Sequence, residues 1–359
     1  MPAPSRSLPR VRVAIIGYGL SGRFFHAPLI AATDGLEVAC VVTSDPRRRA
    51  QVAADLGRAE VVPSVHELWS GVAPELVVVA SPNDTHVSLA VAAIERGISV
   101  VVDKPLAVTV ESARTLVGRA RDAGVLLTVF QNRRWDSDQL TLRRLIAEDA
   151  LGSIVRYESR FERWRPELDQ AKWRENIAPE QGGGVLLDLG SHLVDQALTL
   201  FGPVSEVYAE VDARRGAAAD DDVFVALRHS GGTISHLHAS AVTPSVGPRL
   251  RVQGTTAGFL VTALDPQEAA LRSGVRPDAV ADWGVPMEWE RGRLVAGEQS
   301  VPVPPEPGDW PRFYALLRDA VAGRGPVPVD PVDAVETLRV LEAARRSARE
   351  RSIVSLPGV

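Results

Sequence analysis

Three side chains in this sequence have the amine, carboxylate and imidazole groups that move protons and stabilise charge on oxygen. Lys104 ends the apolar run ISVVVDK, and Asp188 and His192 lie four residues apart in QGGGVLLDLGSHLVDQAL. A surface position poorly explains a lysine at the end of so apolar a run. Residues four apart on a helix share one face, so Asp188 and His192 are either a ligand-facing pair or a satisfied pair on a helix surface.

A glycine-rich loop near the start of the chain predicts a bound nucleotide. Gly17, Gly19 and Gly22 form G-x-G-x-x-G between an apolar run and a predicted helix. Gly17 permits the sharp turn, Gly19 lets a pyrophosphate approach the backbone, and Gly22 lets the helix pack on the strand. The N–H groups that begin the helix then face the anion. In this strand–loop–helix context the motif favours dinucleotide binding over a purely structural turn.

The end of the second predicted strand, VVTSDPRRR, bears on which dinucleotide binds. NAD sites usually have an acid at the strand end, but here Thr43 ends the strand and Asp45 comes two residues later. Thr43 and Ser44 could hydrogen-bond a 2′-phosphate, and Arg47 or Arg48 could neutralise its charge. Alternatively, Asp45 only caps the next helix and the arginines at 47–49 lie in solvent. The pattern favours NADP(H) and leaves NAD(H) open.

The first third of the chain predicts a scaffold that brings these groups together. Short β-branched runs, apolar throughout, alternate with helical patterns, which is typical of a parallel, doubly wound sheet covered on both faces. The C-terminal ends of such strands share one edge of the sheet, where ligands bind. The predicted strands are 11–17, 36–43, 75–81, 98–104 and 125–132, and the helices are 22–32, 46–56, 65–70, 84–96 and 109–123.

After residue 133 the pattern changes to strands with alternating polarity, which predicts a largely antiparallel open sheet with one exposed face. The predicted fold class is therefore α/β, with a Rossmann domain over 1–132 and an α+β domain over 133–359. The last helix could pack back on the first domain. The predicted strands are 153–163, 204–214, 222–229, 233–242 and 249–261, and the helices are 136–148, 184–201, 311–322 and 331–349.

Composition argues against several classes of protein. The 359 residues have a net charge of −5, which gives no electrostatic footprint for nucleic acid or an anionic membrane. The single cysteine, Cys40, excludes a disulfide framework and a cysteine-rich metal site, and we expect it to be a core residue in a reducing cytoplasm. The apolar runs are too short to span a bilayer. Residues 1–10 lack the core of a signal peptide and predict a frayed tail.

Four motifs, GYGLSG, PNDTH, DKP and GGGVLLDLGSH, follow one another in an order that matches a known family. Over nearly its full length the chain resembles the glucose–fructose oxidoreductase / inositol dehydrogenase / MocA oxidoreductases. The stretches GYGLSGRFFHAPL, QNRRWDSDQLTLRRLI, FERWRP and DLGSHLVDQALTLFG are most similar to the branch of NADP-linked scyllo-inositol dehydrogenases. The combination is specific, although each motif alone is not.

The resemblance implies roles for the matching residues. Lys104 corresponds to the lysine of the family's E-K-P motif, with Asp103 in place of the glutamate, and Asp188 and His192 match its D-x-G-x-H. The Lys–Pro bond is commonly cis in the family, which would aim Lys104 into the cleft. The expected cofactor-binding residues are Gly17, Tyr18, Gly19, Leu20, Ser21, Gly22, Thr43, Ser44, Asp45, Arg48, Ser81, Pro82, Asn83, His86, Asp103, Lys104 and Asn132.

Cofactor choice and the substrate pocket stay open at this level. Thr43 and Ser44 are shared with the most similar branch, but its clearest NADP(H) users place an arginine where this chain has Asp45. The pocket candidates are also ambiguous, since a surface or packing role explains each of them at least as well as contact with a polyol does. These pocket candidates are Arg163, Arg165, Trp173 and Arg174.

The predicted function is an NAD(P)-dependent dehydrogenase of a sugar or of a cyclitol such as an inositol. His192 would accept the hydroxyl proton, Lys104 would donate to the same oxygen, and Asp188 would orient His192 or bind a neighbouring hydroxyl. The alternatives are a catalytically silent cofactor-binding regulator and a dehydrogenase of a sugar phosphate, aldose or dihydrodiol. We expect a cytoplasmic homodimer or homotetramer, since family members generally associate through the open face of the second sheet, and no metal, nucleic-acid or membrane partner.

Overall fold

A six-stranded parallel sheet forms the first part of the computed structural model, which describes residues 10–357. The predicted tail at 1–10 therefore lies, apart from Arg10, outside the described residues. The sheet has the order β3-β2-β1-β4-β5-β6 and confirms the predicted Rossmann arrangement. Its strands are β1 Val11–Ile16, β2 Leu36–Val42, β3 Glu60–Val62, β4 Leu76–Val79, β5 Ser99–Val102 and β6 Leu127–Val129.

Helices cover both faces of this sheet, which explains why its strands are apolar throughout. Every residue of β4 is fully buried, as is Cys40 in β2, whose thiol pKa burial raises to about 11. Thr109 caps α5 by accepting from Ser112 N, and Gly124 ends that helix in the left-handed conformation. The helices are α1 Ala27–Ala31, α2 Pro46–Leu56, α3 Val65–Gly71, α4 His86–Ile94 and α5 Val110–Ala123.

The strand order puts β1 beside β4, at the point where the chain reverses its direction of travel across the sheet. The loop after β1 begins at Gly17, and the loop after β4 begins at residue 80. In doubly wound sheets this switch point opens a crevice at the carboxyl edge. The glycine loop after β1, the turn after β4 and the segment with Lys104 after β5 therefore lie together at this edge.

The second sheet has nine strands in the order β14-β13-β12-β11-β7-β10-β9-β8-β15. Its neighbouring strands are antiparallel except for β7 and β10, which run parallel, so the sheet is mixed but largely antiparallel, as predicted. His236 and His238 alternate on β10, as expected for one sheet face. The strands are β7 Ile154–Glu162, β8 Val204–Asp212, β9 Asp222–His229, β10 Ile234–Ser240, β11 Leu250–Gly254, β12 Gly258–Val261, β13 Arg293–Ala296, β14 Gln299–Pro302 and β15 Val354–Ser355.

Two helices of the second part, Ser191–Phe201 and Pro331–Glu350, pack on this sheet, and the second of them also contacts the first part. Val110 N, at the start of α5, donates to Glu342 Oε1 at 2.8 Å, and Thr128 Oγ1 in β6 donates to Val329 O at 2.7 Å. We propose a domain boundary at 132/133, between the two sheets. The helices are α6 Ser137–Ala147, α7 Trp173–Asn176, α8 Ser191–Phe201, α9 Gln267–Arg272, α10 Pro311–Val321 and α11 Pro331–Glu350. None of the helices in residues 10–357 is both long and apolar enough to cross a membrane.

Two π-helical turns interrupt the helices that border the crevice. Gly22–His26 precedes α1, and Leu186–Gly190 precedes α8. The sequence predicted continuous helices over 22–32 and 184–201, which match in extent but not in this inner geometry. One widened turn is too short to change the hydrophobic period, so the pattern could not reveal it. Such turns are frequent at functional sites, because they place an extra residue where a regular helix has none.

Candidate active site

The glycine loop after β1 is shaped by contacts at two glycines and by open space at the third. Gly17 has φ +99°, and a Cβ there would lie 2.5 Å from Ala80 O. A Cβ on Gly22 would lie 2.1 Å from Gly17 O, so the helix can pack here only without a side chain. At Gly19 the described residues place no atom within 4 Å of an added Cβ. The loop thus leaves room above Gly19, which fits the pyrophosphate of a dinucleotide.

The remaining loop residues differ in where their side chains point. Tyr18 is buried, and its Oη donates to Asp55 Oδ2 at 3.2 Å, so its ring packs toward α2 and leaves only its backbone to the loop. Leu20 is exposed. Ser21 Oγ is buried without a hydrogen-bond partner among residues 10–357. Of these side chains, Ser21 is the one with an unused polar atom.

The end of β2 carries the residues expected to read the adenosine ribose. Thr43 is buried and its Oγ1 accepts from Asp45 N at 3.4 Å, while the Asp45 carboxylate caps α2 by accepting from its first N–H groups, the nearest at 2.8 Å. Ser44 and Arg48 are exposed. Arg49 is also exposed, but its Nε donates to Thr43 O at 3.4 Å, which holds the guanidinium near the strand end. A hydroxyl and two guanidinium groups therefore lie near the point where a 2′-phosphate would bind.

The turn after β4 joins three parts of the edge. Asn83 is buried, and its Nδ2 donates to Gly182 O at 2.8 Å, which ties the first domain to the second, whereas its Oδ1 has no partner among the described residues. His86 lies between two carbonyl oxygens, with Nδ1 2.8 Å from Pro105 O and Nε2 3.0 Å from Ser81 O. Burial lowers the pKa of His86, so the neutral ring donates to one of them. This ring links the ends of β4 and β5.

Pro82 and Asn132 begin short turns at the same edge. Pro82 precedes the 3₁₀ turn that leads into α4, and Asn132 starts the 3₁₀ turn after β6. Asn132 is 5% exposed. Both residues follow strands at their carboxyl ends, as the sequence pattern predicted.

Lys104 reaches across the crevice from the first domain to the second. The Lys104–Pro105 peptide bond is cis, as the resemblance implied. The Nζ atom lies 2.7 Å from Asp188 Oδ1 and donates to Asp188 O at 2.6 Å. Burial opposes the charge of Asp188, but Lys104 and Arg174 outweigh it and hold the pKa of this carboxyl well below its usual range. The carboxylate of Asp188 is therefore charged at neutral pH.

His192 lies in the first turn of α8, four residues beyond Asp188. Its ring is 6% exposed, and Nδ1 has no hydrogen-bond partner among residues 10–357. Burial, together with the positive charges of Lys104 and Arg133, lowers its pKa well below the usual value. At neutral pH the ring is neutral and can accept a proton. Asp188 bonds to Lys104 and makes no hydrogen bond to His192 in the described structure.

Two further buried residues, His26 and Tyr314, are connected to Lys104, although the sequence analysis did not select them. They reach it through Asp103, which is buried, accepts from Lys104 N through Oδ1 at 2.9 Å, and has Oδ2 3.9 Å from Nε2 of His26. The Nδ1 atom of His26 lies 2.6 Å from the hydroxyl of Tyr314 in α10. The stretch GRFFH contributed to the family resemblance, but only the fold could bring together two residues 288 positions apart.

The pocket candidates separate into two groups. Arg174 Nε lies 3.6 Å from Asp188 Oδ1, and its guanidinium stacks 4.3 Å from the Trp173 ring. Arg163 is half-buried, its charge acts on Asp188, and it has no ion-pair partner within 4 Å among the described residues. Arg165 is exposed and is held through its backbone N, which donates to Ala241 O. Arg163 and Arg174 thus border the Lys104–Asp188 pair, whereas Arg165 lies outside.

Comparison with protein families identifies both halves of the chain. The model of an oxidoreductase family with an NAD-binding Rossmann fold matches residues 11–131. The model of the GFO/IDH/MocA C-terminal domain matches residues 139–260. Each match contains one side of the crevice, with Lys104 in the first and with Asp188 and His192 in the second.

Similar proteins match along almost the whole chain. The uncharacterized oxidoreductase YdgJ of Escherichia coli is 40% identical, with 96% of this chain and 99% of that protein covered. The scyllo-inositol 2-dehydrogenase (NADP(+)) IolW of Bacillus subtilis is 35% identical, with 98% and 97% covered. The solved structure of the Bacillus subtilis oxidoreductase YvaA superposes with a TM-score of 0.89 at 34% identity, with 97% and 100% covered. The chain belongs to the GFO/IDH/MocA family of oxidoreductases.

Proposed function

We propose that this oxidoreductase transfers hydride between a nicotinamide cofactor, preferably NADP(H), and a secondary alcohol or ketone of a sugar or cyclitol. The observation that carries the proposal is the contact of Lys104 with Asp188, because it joins a residue after β5 to the turn that precedes α8. His192 follows on the same helix, with a buried ring whose Nδ1 is unpartnered in the described structure. A purely structural ion pair would not require a free imidazole beside it.

Each of the three side chains has a definite part in this reaction. His192 takes the hydroxyl proton during oxidation, since its lowered pKa keeps the ring neutral. Lys104 exchanges its contact with Asp188 for the substrate oxygen and stabilises the charge that develops there. Asp188, freed from Lys104, accepts a hydrogen bond from a neighbouring hydroxyl. The bound nicotinamide supplies or accepts the hydride.

The preference for NADP(H) is supported by the end of β2. The Asp45 carboxylate already accepts from α2, so it is poorly placed to accept from a ribose 2′-hydroxyl. Ser44 and Arg48 are exposed beside it, and Arg49 is held near the same strand end. A 2′-phosphate would gain hydrogen bonds and charge pairing from these groups. The relative IolW is named for its use of NADP(+).

A polyol fits the mixed character of the crevice. Arg163, Arg174 and Lys104 supply donors and Asp188 supplies an acceptor, and vicinal hydroxyls can use both. A sugar phosphate is the second candidate, and Arg163 favours it, because among the described residues no carboxylate lies within 4 Å of this guanidinium, although Asp188 and Glu268 act on it from farther away. We further propose a cytoplasmic homodimer or homotetramer that associates through the exposed face of the second sheet, on which His236 and His238 lie.

The test incubates the purified chain with NADP⁺ or NAD⁺ and a panel of inositols, aldoses and sugar phosphates, and follows the near-ultraviolet absorbance of the reduced nicotinamide. We expect turnover of at least one cyclitol or sugar, with a higher kcat/KM for NADP⁺. Reversal of the cofactor preference in a Ser44→Asp variant would support the assignment of the strand end. Tight cofactor binding without turnover of any alcohol or ketone would favour a silent regulator instead.

A further inference from the structure

A buried polar chain behind the crevice has no part in the proposed proton transfer. His26, in the π-helical turn before α1, is fully buried and packs on Phe130 with ring centroids 4.3 Å apart. Tyr314 is also fully buried, and its hydroxyl lies 2.6 Å from His26 Nδ1. Asp103 lies on the other side, with Oδ2 3.9 Å from His26 Nε2, which is too far for a hydrogen bond, so this contact is electrostatic. Three polar side chains thus line up from α10 to the residue before Lys104.

The hydrogen-bond partners fix where the proton of His26 lies. Within residues 10–357, the Tyr314 hydroxyl has no neighbour but His26 Nδ1 within hydrogen-bond distance. A buried hydroxyl proton must find an acceptor, so Tyr314 donates to Nδ1. With Nδ1 as the acceptor, the ring proton of His26 lies on Nε2, which is directed toward Asp103. The second nitrogen of a histidine commonly sets the tautomer of the first in this manner.

Asp103 connects this chain to Lys104. Its Oδ1 accepts from the backbone N of Lys104 at 2.9 Å, so the carboxylate holds the segment from which the Lys104 side chain departs. We propose that Tyr314 and His26 are positioning residues, which keep Asp103 charged and oriented and thereby fix Lys104 in the crevice. The inference rests on the proposed function for its catalytic meaning, but the placement of Lys104 can be measured without turnover.

The charges around Asp103 agree with this arrangement. Its nearest polar and charged neighbours are His26, Lys104 and Ser21, and its charge also acts on Tyr314 beyond His26, on His86 and on His192. Burial opposes the charge of Asp103, but the His26 ring and Lys104 outweigh it and hold the pKa of this carboxyl well below its usual range. Removing the Nε2–H of His26 would leave burial to act against a less supported carboxylate.

Tyr314→Phe is the most conservative test, because it removes one oxygen and keeps the packed ring. We expect kcat for polyol oxidation to fall roughly 10-fold while KM for the cofactor stays within about twofold, since outer positioning groups commonly have effects of this size. Tyr157→Phe is the matched control. Tyr157 is equally buried, but its hydroxyl lies near Gln139 in the second domain, 3.5 Å from Nε2. This control should leave kcat unchanged.

Substitutions of His26 separate positioning from packing. His26→Leu fills the site without polar atoms, whereas His26→Gln can accept from Tyr314 and donate toward Asp103. We expect His26→Gln to recover at least half of the kcat lost in His26→Leu. Equal losses in both variants, with equal shifts in melting temperature, would mean that the ring acts by packing alone and would overturn the proposal.

A second readout does not depend on activity. Lys104 and Lys172 are the only lysines of the chain, and Lys172 is exposed at the surface of the second domain. Acetylation by a limiting amount of acetic anhydride, followed by mass spectrometry, gives the labelling rate of Lys104 relative to Lys172 across pH. Tyr314→Phe and His26→Leu should change this ratio by about threefold or more, because a Lys104 that leaves Asp188 changes both its exposure and its charge partner.

The two readouts distinguish failure of this inference from failure of the proposed function. A wild-type chain that labels as described but turns over no polyol would contradict the proposed function, and the labelling ratios of the variants would still decide the inference. If Tyr314→Phe and both His26 variants fold, and both the Lys104 labelling ratio and kcat match those of Tyr157→Phe, the positioning role is overturned. If His26→Leu fails to fold, the labelling ratio and kcat of Tyr314→Phe decide between the two results.

Discussion

Two carboxylates on one helical stretch each hold a cation, and the two pairs differ in almost every physical respect. Asp188 meets the single amine of Lys104 at 2.7 Å, where the side chains of Asp188 and Lys104 are 29% and 13% exposed. Asp195, seven residues later on α8, accepts two bonds from Arg134 at 2.9 and 2.6 Å and is 2% exposed. The first pair borders the crevice, and the second is enclosed between α8, the turn after β6 and α11.

The chemistry of the cations explains the difference. The planar guanidinium of Arg134 matches both oxygens of a carboxylate and stays fixed, whereas an ammonium is a compact charge that can change partners. Lys104 and Arg174 lower the pKa of Asp188 despite burial. For Asp195, burial raises the pKa even though Arg134 opposes the shift. Seven residues apart on the same helical stretch, one pair can therefore open for a ligand and the other pair is complete.

The same contrast separates two histidines. The ring nitrogens of His229 both have partners, with Nδ1 2.9 Å from Gly202 O and Nε2 2.8 Å from Ser235 Oγ. His192 is as deeply enclosed, yet its Nδ1 is unpartnered in the described structure. Buried polar atoms in folded proteins are nearly always paired, so an exception beside Lys104 indicates a position that a ligand completes. Of these two histidines, the one with an incomplete set of contacts borders the crevice, and the one with a complete set stabilises the second domain.

Breaking the Lys104–Asp188 pair should give the largest effect on activity. Lys104→Met removes the donor to the substrate oxygen, so we expect kcat to fall about 10²- to 10⁴-fold. Because Asp188 is partly exposed and keeps Arg174 nearby, the melting temperature should change little. Steady-state kinetics and thermal unfolding measure the two quantities, and retention of full activity would refute the role of Lys104.

Breaking the Arg134–Asp195 pair should instead lower the free energy of unfolding. Arg134→Met leaves the Asp195 carboxylate buried without its main partner, which costs about 3–5 kcal/mol of unfolding free energy. Adding Asp195→Asn removes the stranded charge and should recover part of the loss. Urea unfolding measures both variants, and kcat per folded molecule should stay near wild type. A drop in kcat without a loss of stability would reverse the comparison.

The glycine loop offers two substitutions that separate a position packed against the protein, Gly22, from a position with free space for a ligand, Gly19. Gly22→Ala forces a Cβ to within 2.1 Å of Gly17 O and should destabilise the first domain with or without cofactor. Gly19→Ala meets no atom of the described residues within 4 Å, so the free protein should keep its stability. The added methyl should instead weaken cofactor binding roughly 10-fold or more, because it occupies the space of the pyrophosphate. Thermal shift with and without NADP⁺ separates the two outcomes.

The smallest effect concerns the pH response of His192. Its folded pKa lies below the unfolded value of about 6.5, so the unfolded state binds the extra proton and stability falls as pH drops below about 6.5. The same protonation removes the base, so kcat/KM for oxidation should decline only below that pH. His192→Asn should lack this part of the stability slope. An acidic limb of kcat/KM lying above pH 6.5, measured with saturating cofactor, would contradict a depressed pKa.

The sequence sufficed for the parts of the fold that depend on local patterns. Apolar runs predicted five of the strands in the first sheet, while β3, three residues long with exposed Glu60, was too short to show a pattern. Alternation predicted β7 to β12 of the second sheet but missed β13 to β15. It also missed the parallel pairing of β7 with β10, since alternation is the same in both directions.

For the site residues, too, local sequence patterns were informative and contacts between distant segments were not. Lys104, Asp188 and His192 were proposed from their types and from local motifs, but the contact of Lys104 with Asp188 was not predicted. His26 with Tyr314, and Arg134 with Asp195, join residues that only the packing of the two domains makes neighbours. Contacts over such separations leave no periodic signal, so sequence reasoning could not supply them.

A crystal structure with bound NADP⁺ tests the central claim most directly, because it requires no knowledge of the substrate. We predict that the pyrophosphate lies over Gly19 and that the nicotinamide ring enters the crevice beside both Lys104 Nζ and the His192 ring. A nicotinamide ring turned away from these two groups, or a cofactor bound elsewhere on the chain, would contradict the account.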